Sequence, residues 1–319
     1  MFAEELQLIL RYIGVSEADM EKGEMRVEVN ISLAEKEKEL GTKVEIKNLN
    51  SFRSAEKAID YEIQRQAEVL NAGKKIIQET RGWDDIKGVT IVQREKEEAH
   101  DYRYFPEPDL PILHFGIPDY INKIKAKIPE LPQKRRERFK KEYGLDDKTI
   151  EVFVQNKDLG EYFEKVISEL PPNLSPENLS KLTKLSSNYI ITDLQGLLKA
   201  APQKVVGGGL ITPENFAEFA ALIYEEKISS KIAKQVLGEM FKSGADPSHI
   251  IEEKGLLQIT DEIEIKKIVK EVIAKNQKVV EDYKKGKENA LQFLIGQVMS
   301  ASKGKANPQI VNKILTKLK

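Results

Sequence analysis

Hydrophobic and polar positions alternate most cleanly over residues 25–33, where Met25, Val27, Val29, Ile31 and Leu33 fall on one face and Arg26, Glu28, Asn30 and Ser32 on the other. A period of two predicts a half-buried strand. Residues 42–48 repeat it, with Val44 and Ile46 inward and Lys43, Glu45 and Lys47 outward. The 39–41 region turns the chain between the two runs, which predicts an antiparallel pair. After the capping-type pair Asn50-Ser51 the period changes: Phe52, Ala55, Ile59, Ile63, Ala67 and Leu70 recur at helical spacing as far as Gly73. A strand over 75–81, a turn over 84–88 and a returning strand over 89–94 predict a hairpin, followed by an extended, proline-rich stretch over 102–111. Ahead of all this, residues 2–13 read as an amphipathic helix carrying Leu6, Ile9, Leu10 and Ile13, with no capping residue before it.

Beyond Pro118 the pattern is helical, broken at Pro171-Pro172, Gly207-Gly208-Gly209, Asp246-Pro247 and Asn307-Pro308. Helices are predicted for the stretch ending near Tyr143 and over 148–153, 159–170, 176–198, 213–224, 229–241, 262–275, 279–285, 290–300 and 308–318. The expected fold class is α+β. A domain on an antiparallel sheet occupies 1–117, an all-α helical domain 118–245 and an all-α tail 246–319.

Composition narrows the chemistry. A chain of 319 residues exceeds one ordinary core, and 40% hydrophobic with 32% charged residues fits well-solvated globular domains. No apolar run approaches the roughly 20 residues a bilayer span requires. Cysteine is absent, which excludes disulfides, thiolate metal sites and cysteine nucleophiles, and the three histidines are too scattered for a zinc cluster. A metal should therefore be a hard, oxygen-bound ion such as magnesium. A net charge of -1 gives no globally basic surface. Basic residues do crowd residues 123–141 and the C-terminus around Lys303 and Lys305, where solvated helix faces and phosphate contact are the two readings.

The polar face of the paired strands is the most informative chemistry. Side chains directly opposite on neighbouring strands stand about 4.5–5.5 Å apart, so Arg26, Glu28 and Asn30 approach Lys43, Glu45 and Lys47. A surface ion-pair ladder has the same pattern. The second strand runs into Asn48, Asn50 and Ser51 at a helix N-terminus, either simple capping or an anion cradle. Gln78, Glu79, Thr80 and Arg81 form a second polar cluster. Asp101, Tyr102, Arg103 and Tyr104 form a third, either anchoring a loop or meeting a nucleotide and its phosphate. Neither a P-loop nor a dinucleotide fingerprint appears.

Gly41 to Phe52 (GTKVEIKNLNSF), Gln78 to Arg81 (QETR) and His100 to Asp109 (HDYRYFPEPD) resemble, in order and spacing, the signature blocks of the GatB family, the B subunits of glutamyl/aspartyl-tRNA amidotransferases. Val280 to Lys284, Gly286-Lys287, Phe293 to Met299 and Lys303 to Pro308 resemble that family's YqeY-like tail. Many relatives have Cys-Asp-Ala-Asn where this chain has Val27-Glu28-Val29-Asn30. Family members also begin upstream, with a Glu-x-His strand and an acidic segment that supply metal ligands. Neither is found here, so the resemblance implies an N-terminally truncated member holding part of the active site, inactive in isolation.

The resemblance implies a cradle domain that uses ATP and Mg2+ to phosphorylate the side-chain carboxylate of misacylated Glu-tRNA or Asp-tRNA. Ammonia released by the A (glutaminase) subunit then displaces phosphate, in a cytoplasmic complex that also contains a C subunit. Glu28 and Glu45 are the expected metal ligands. Glu45, Lys47, Asn48, Asn50, Ser51, Glu79 and Arg81 are the expected catalytic set, Lys47 and Arg81 neutralising phosphate. Asp101, Tyr102, Arg103, Tyr104, Lys303 and Lys305 are expected to bind substrate or tRNA. The rival readings are a non-catalytic tRNA-binding or assembly protein, an ATP-dependent ligase for a small carboxylate, and the paralogous E subunit.

Overall fold

The structure, a computed structural model, describes residues 1–34, 39–95, 106–116, 119–201 and 211–317. Two compact units divide it, Met1–Lys134 and Arg135–Lys319.

The first unit opens with helix α1 (Phe2–Tyr12), which has no side-chain cap. It buries Leu8 and Tyr12, whereas Leu6, expected inward, is exposed. Strands β1 (Val27–Ile31) and β2 (Val44–Leu49) pair antiparallel, as the alternation predicts, with Asn30 opposite Glu45 and Ile31 opposite Val44. Helix α2 (Phe52–Asn71) follows, then β3 (Glu79–Asp84) and β4 (Val89–Glu95), and the sheet order is β1-β2-β3-β4.

The sheet differs from the expected all-antiparallel one, because β2 and β3 run parallel, Glu45 beside Thr80 and Lys47 beside Gly82. The cause is α2. A helix of 20 residues between neighbouring strands returns the chain to its starting end, and a crossover of that length is what parallel pairing needs. The strand expected at 75–81 begins later, at Glu79, the first residue with a partner on β4. The predicted α2 stripe is also rotated. Ser54, Ala55, Ala58, Glu62 and Gln66 are buried, while Ile63 is exposed. Small Ala55 and Ala58 let the helix approach a core of Ile46, Leu49 and Trp83, and Tyr61 meets Trp83 edge-on at 6.3 Å. A short helix, α3 (Tyr120–Lys125), ends this part of the chain with no buried residue.

From Pro132 onward the chain is helical, α4 starting just before the second unit: α4 (Pro132–Tyr143), α5 (Asp147–Gln155), α6 (Lys157–Ser168), α7 (Pro176–Tyr189), α8 (Gln195–Ala200), α9 (Pro213–Tyr224), α10 (Ser230–Ser243) and α11 (Pro247–Glu253). Then come α12 (Glu262–Lys275), α13 (Gln277–Lys284), α14 (Glu288–Ala301) and α15 (Pro308–Thr316). Proline stands in the first turn of α7, α9, α11 and α15, each preceded by a side-chain cap: Ser175, Thr212, Asp246 and Asn307. That combination starts a helix without losing a hydrogen bond. The predicted 176–198 helix is interrupted by a wide π turn at Ile190–Leu194. Phe139, Phe153, Phe163, Phe216 and Phe219 are fully buried, and Phe153 stacks on Phe163 at 4.5 Å. The last four helices gather a core around Ile265, Leu294, Val298 and Val311.

Candidate functional site

Alternation along β2 and β3 sorts the polar residues onto two faces of one sheet. On the face away from α2, Thr80 Oγ1 donates to Glu45 Oε2 at 3.0 Å, and Lys47 Nζ stands 3.5 Å from Glu28 and 3.6 Å from Glu45. Side-chain exposure is 47% for Glu28 and 42% for Lys47 but only 15% for Glu45. One cation thus bridges two carboxylates, and a hydroxyl fixes the more sheltered of them.

The other face holds Glu79 and Arg81. Arg81 Nη1 donates to Glu79 Oε1 at 2.6 Å, Nε to Thr90 Oγ1 at 2.7 Å and Nη2 to the Thr90 carbonyl at 2.7 Å. From α2, fully buried Glu62 accepts from Arg65 Nη2 at 2.6 Å, Gln66 Nε2 at 2.9 Å and Thr90 Oγ1 at 3.1 Å. Gln66 Oε1 accepts from the Leu33 amide at 2.9 Å, just past β1. These six side chains tie α2 to β3, to β4 and to the chain leaving β1. Glu79 and Arg81 therefore do not join Glu28, Glu45 and Lys47. They lie beneath them.

Burial pushes the Glu62 carboxyl up, but donation from Arg65, Gln66 and Thr90 outweighs it and holds the group below the usual carboxylate range. A lowered folded value contributes stability that is complete above the unfolded value of about 4.3 and is lost as pH falls through the folded value. The unfolding free energy should accordingly decline below about pH 4.3, and Glu62→Gln should make that decline shallower. An unchanged slope in acid-titrated urea melts would rule out this contribution.

At the end of β2, Asn48 takes a φ of 64°, a left-handed conformation that asparagine tolerates better than most residues. Its Nδ2 donates to the Trp83 carbonyl at 2.9 Å. The register changes here, Val29 facing Ile46 but Val27 facing Leu49, so one extra residue bulges from β2 and Leu49 turns inward. Ser51 caps α2, its Oγ accepting from the Ser54 amide at 3.0 Å. Ser54 Oγ in turn donates to Asp85, which also accepts from Trp83 Nε1 at 2.7 Å. A protein carboxylate already lies at this helix start, and Ser51 is occupied as a cap.

Asp101, Tyr102, Arg103 and Tyr104 lie outside the described residues. In the basic 123–141 segment, Arg135 pairs with Glu164, Arg136 with Glu151 and Lys140 with Asp147, so much of its charge is met within the protein. Lys303 is exposed at a φ of 54°, and Lys305 is half-buried. Their loop is pinned by Ser229 Oγ donating to the Gly304 carbonyl at 2.8 Å and by the Ile259 amide donating to the Lys305 carbonyl at 2.7 Å. Glu62, Gln66 and Thr90 were not anticipated from sequence. For Glu62 and Gln66 the signal was a polar i, i+4 pair inside an otherwise amphipathic helix, whereas Thr90, on β4, carried none. No helix of the described residues is long and apolar enough to cross a membrane.

Known proteins share this chain's sequence from end to end. Residues 1–118 match the GatB/GatE catalytic domain and residues 161–318 the GatB domain. The chain is 48% identical over 319 residues to a protein of Persephonella marina, 47% over 319 to one of Caldicellulosiruptor saccharolyticus and 45% over 316 to one of Carboxydothermus hydrogenoformans. All three are named as the B subunit of aspartyl/glutamyl-tRNA(Asn/Gln) amidotransferase. The alignments take in 99–100% of this chain but 63–65% of each relative, so the chain spans just under two thirds of their length. With two domain matches of one family and near-half identity from end to end, the chain belongs to the GatB family of tRNA-dependent amidotransferase B subunits.

Proposed function

We propose that the face of the sheet away from α2 serves the ATP-dependent step of tRNA-directed amide formation. In that step a side-chain carboxylate oxygen of glutamate or aspartate on tRNA attacks the γ-phosphorus of ATP, and the bond to ADP breaks. Ammonia from a glutaminase subunit then attacks the acyl carbon, and phosphate leaves. The observation that carries the reading is Lys47 held between Glu28 and Glu45, in a chain nearly half identical to proteins named for this reaction.

Phosphoryl transfer asks for alignment and charge neutralisation more than for a special nucleophile, since the substrate carboxylate is the nucleophile. Lys47 offsets phosphate charge, and Thr80 holds Glu45 in one orientation. Magnesium suits this donor set: it usually takes one or two protein carboxylates and fills the rest of its sphere with water and phosphate oxygens. Glu28 and Glu45 would hold it, and it would neutralise charge on the transferred phosphate.

Asn48 and Asn50 offer amides beside this face. We assign Ser51 to holding α2, and Glu79 and Arg81 to holding β3 under Thr80 instead of to phosphate. Asp101, Tyr102, Arg103 and Tyr104 are assigned to the aminoacyl end of the substrate, and Lys303 and Lys305 to tRNA phosphates. The partners are the A and C subunits and misacylated tRNA, with the cytoplasm as the place of action. In a full-length complex, Glu-tRNA(Gln) should stimulate ATP hydrolysis while free glutamate does not. Stimulation by free glutamate alone would favour a small-carboxylate ligase.

A further inference from the structure

A helix that ends by turning back on itself needs one left-handed residue, and glycine takes that place at least cost. Helices α1, α2, α11 and α13 close in this way, each with glycine there and with the next amide bonded to the carbonyl five residues back. Helices α9 and α14 make the same closure without glycine. Glu226 stands at a φ of 56° and Lys303 at 54°, and the closing bonds run from the Lys227 amide to the Leu222 carbonyl at 3.0 Å and from the Gly304 amide to the Met299 carbonyl at 2.7 Å. A left-handed residue with a side chain is strained, and such strain persists where the surroundings hold it in place. The two exceptions belong to one junction. Glu226 Oε2 accepts from Asn307 Nδ2 at 3.2 Å and Oε1 from Gln309 Nε2 at 3.4 Å, at the start of α15. Buried Asn307 also caps α15, its Oδ1 accepting from the Gln309 and Ile310 amides. A few residues beyond Glu226, buried Ser229 Oγ donates to the Gly304 carbonyl at 2.8 Å. The turn between α9 and α10 thus grips both ends of the loop that carries Lys303 and Lys305.

We infer that Glu226 and Ser229 are positioning residues that fix the 303–307 loop, so that Lys303 and Lys305 meet tRNA phosphates as one preformed pair; the inference rests on the assignment of those lysines proposed above. Two cations on a fixed loop bind phosphate without the cost of ordering the loop first. Glutamate is otherwise a poor choice at position 226. Its backbone conformation suits glycine, and its negative charge beside a phosphate-binding loop opposes a polyanion. What it gains is the contact with Asn307 and Gln309, which no glycine could make. Ser229 fixes the loop from its other end, through the carbonyl that lies between the two lysines. The Ile259 amide, bonded to the Lys305 carbonyl at 2.7 Å, and the Asn307 amide, bonded to the Ile259 carbonyl at 3.1 Å, hold the remaining side.

The test measures binding of a tRNA(Gln) transcript to the 319-residue chain over a range of salt concentrations. Replacing both lysines, Lys303→Ala with Lys305→Ala, should reduce the slope of log affinity against log salt by about two, roughly one for each phosphate contact. Glu226→Gly then separates position from charge. It relieves the backbone and removes a negative charge, so charge alone predicts tighter binding of tRNA. Positioning predicts the opposite: binding about fivefold weaker, a shallower salt slope, and little further loss when the change is added to the lysine pair, as for residues acting through one element. The melting temperature should stay at or above that of the wild type. A lowered melting temperature, binding unchanged or tighter, or a loss that adds in full to that of the lysine pair would overturn the positioning role and leave the tRNA assignment standing. An unaltered salt slope in the lysine pair would overturn that assignment, and the inference with it.

Discussion

Replacing Glu62 with alanine should lower the unfolding free energy of the sheet-bearing unit by about 3–5 kcal/mol, the cost of removing one partner from a buried, charge-assisted network. The carboxylate is fully buried and accepts from Arg65, Gln66 and Thr90. Without it, Arg81 keeps its bonds to Glu79 and Thr90, but a second guanidinium, Arg65, faces it with one fewer anion between them. Two positive groups would then share Glu79 in a sheltered place, and Thr90 and Gln66 would each lose an acceptor. Glu62→Leu should recover only part of the loss, because the guanidinium groups remain. Urea unfolding of both variants, followed through Trp83 fluorescence, measures this directly. Trp83 is the chain's one tryptophan and sits in the affected core. A loss near the 0–1 kcal/mol typical of a surface ion pair would mean the network is solvated.

The same network explains which parts of the site could be read from sequence. Alternation along residues 27–31 and 44–47 marks Glu28, Glu45 and Lys47 as sharing a face, because a strand's period of two is written directly into residue order. Lys47 does meet both carboxylates. For Glu79 and Arg81 the same rule assigns a common face but not which one. Their side of the sheet follows from Trp83, two residues beyond Arg81 on the same strand and buried against Ala55 and Ala58 of α2. Ending the predicted strand at residue 81 left Trp83 out of it and hid that cue.

Helix α2 misled for a related reason. Ile59, Ile63 and Leu70 suggested an apolar contact face, yet Ala58, Glu62 and Gln66 pack inward. Small side chains gain little by hydrophobicity alone but allow close approach, and polar ones are buried only because tertiary partners meet them. Those partners come from β1, β3 and β4, up to 35 residues away in sequence. In the helical unit, capped proline starts at Ser175, Thr212 and Asn307 made the boundaries legible, since the signal is local. The π turn at Ile190–Leu194 carried no comparable mark.

Two faces of one sheet compete for the chemistry, and the one bearing Glu45, not the one bearing Arg81, is assigned to it. The most direct measurement is amide formation on Glu-tRNA(Gln) by a full-length complex carrying the equivalent of Glu45→Gln. This change keeps the size of the side chain and its capacity to accept from Thr80, while removing the charge that faces Lys47. Amidation should fall by about 100-fold or more, the scale seen when a charge-stabilising group is lost from a reaction site. Glutamine hydrolysis by the partner glutaminase and the melting temperature should stay as they were. Amidation at the unaltered rate would contradict the assignment.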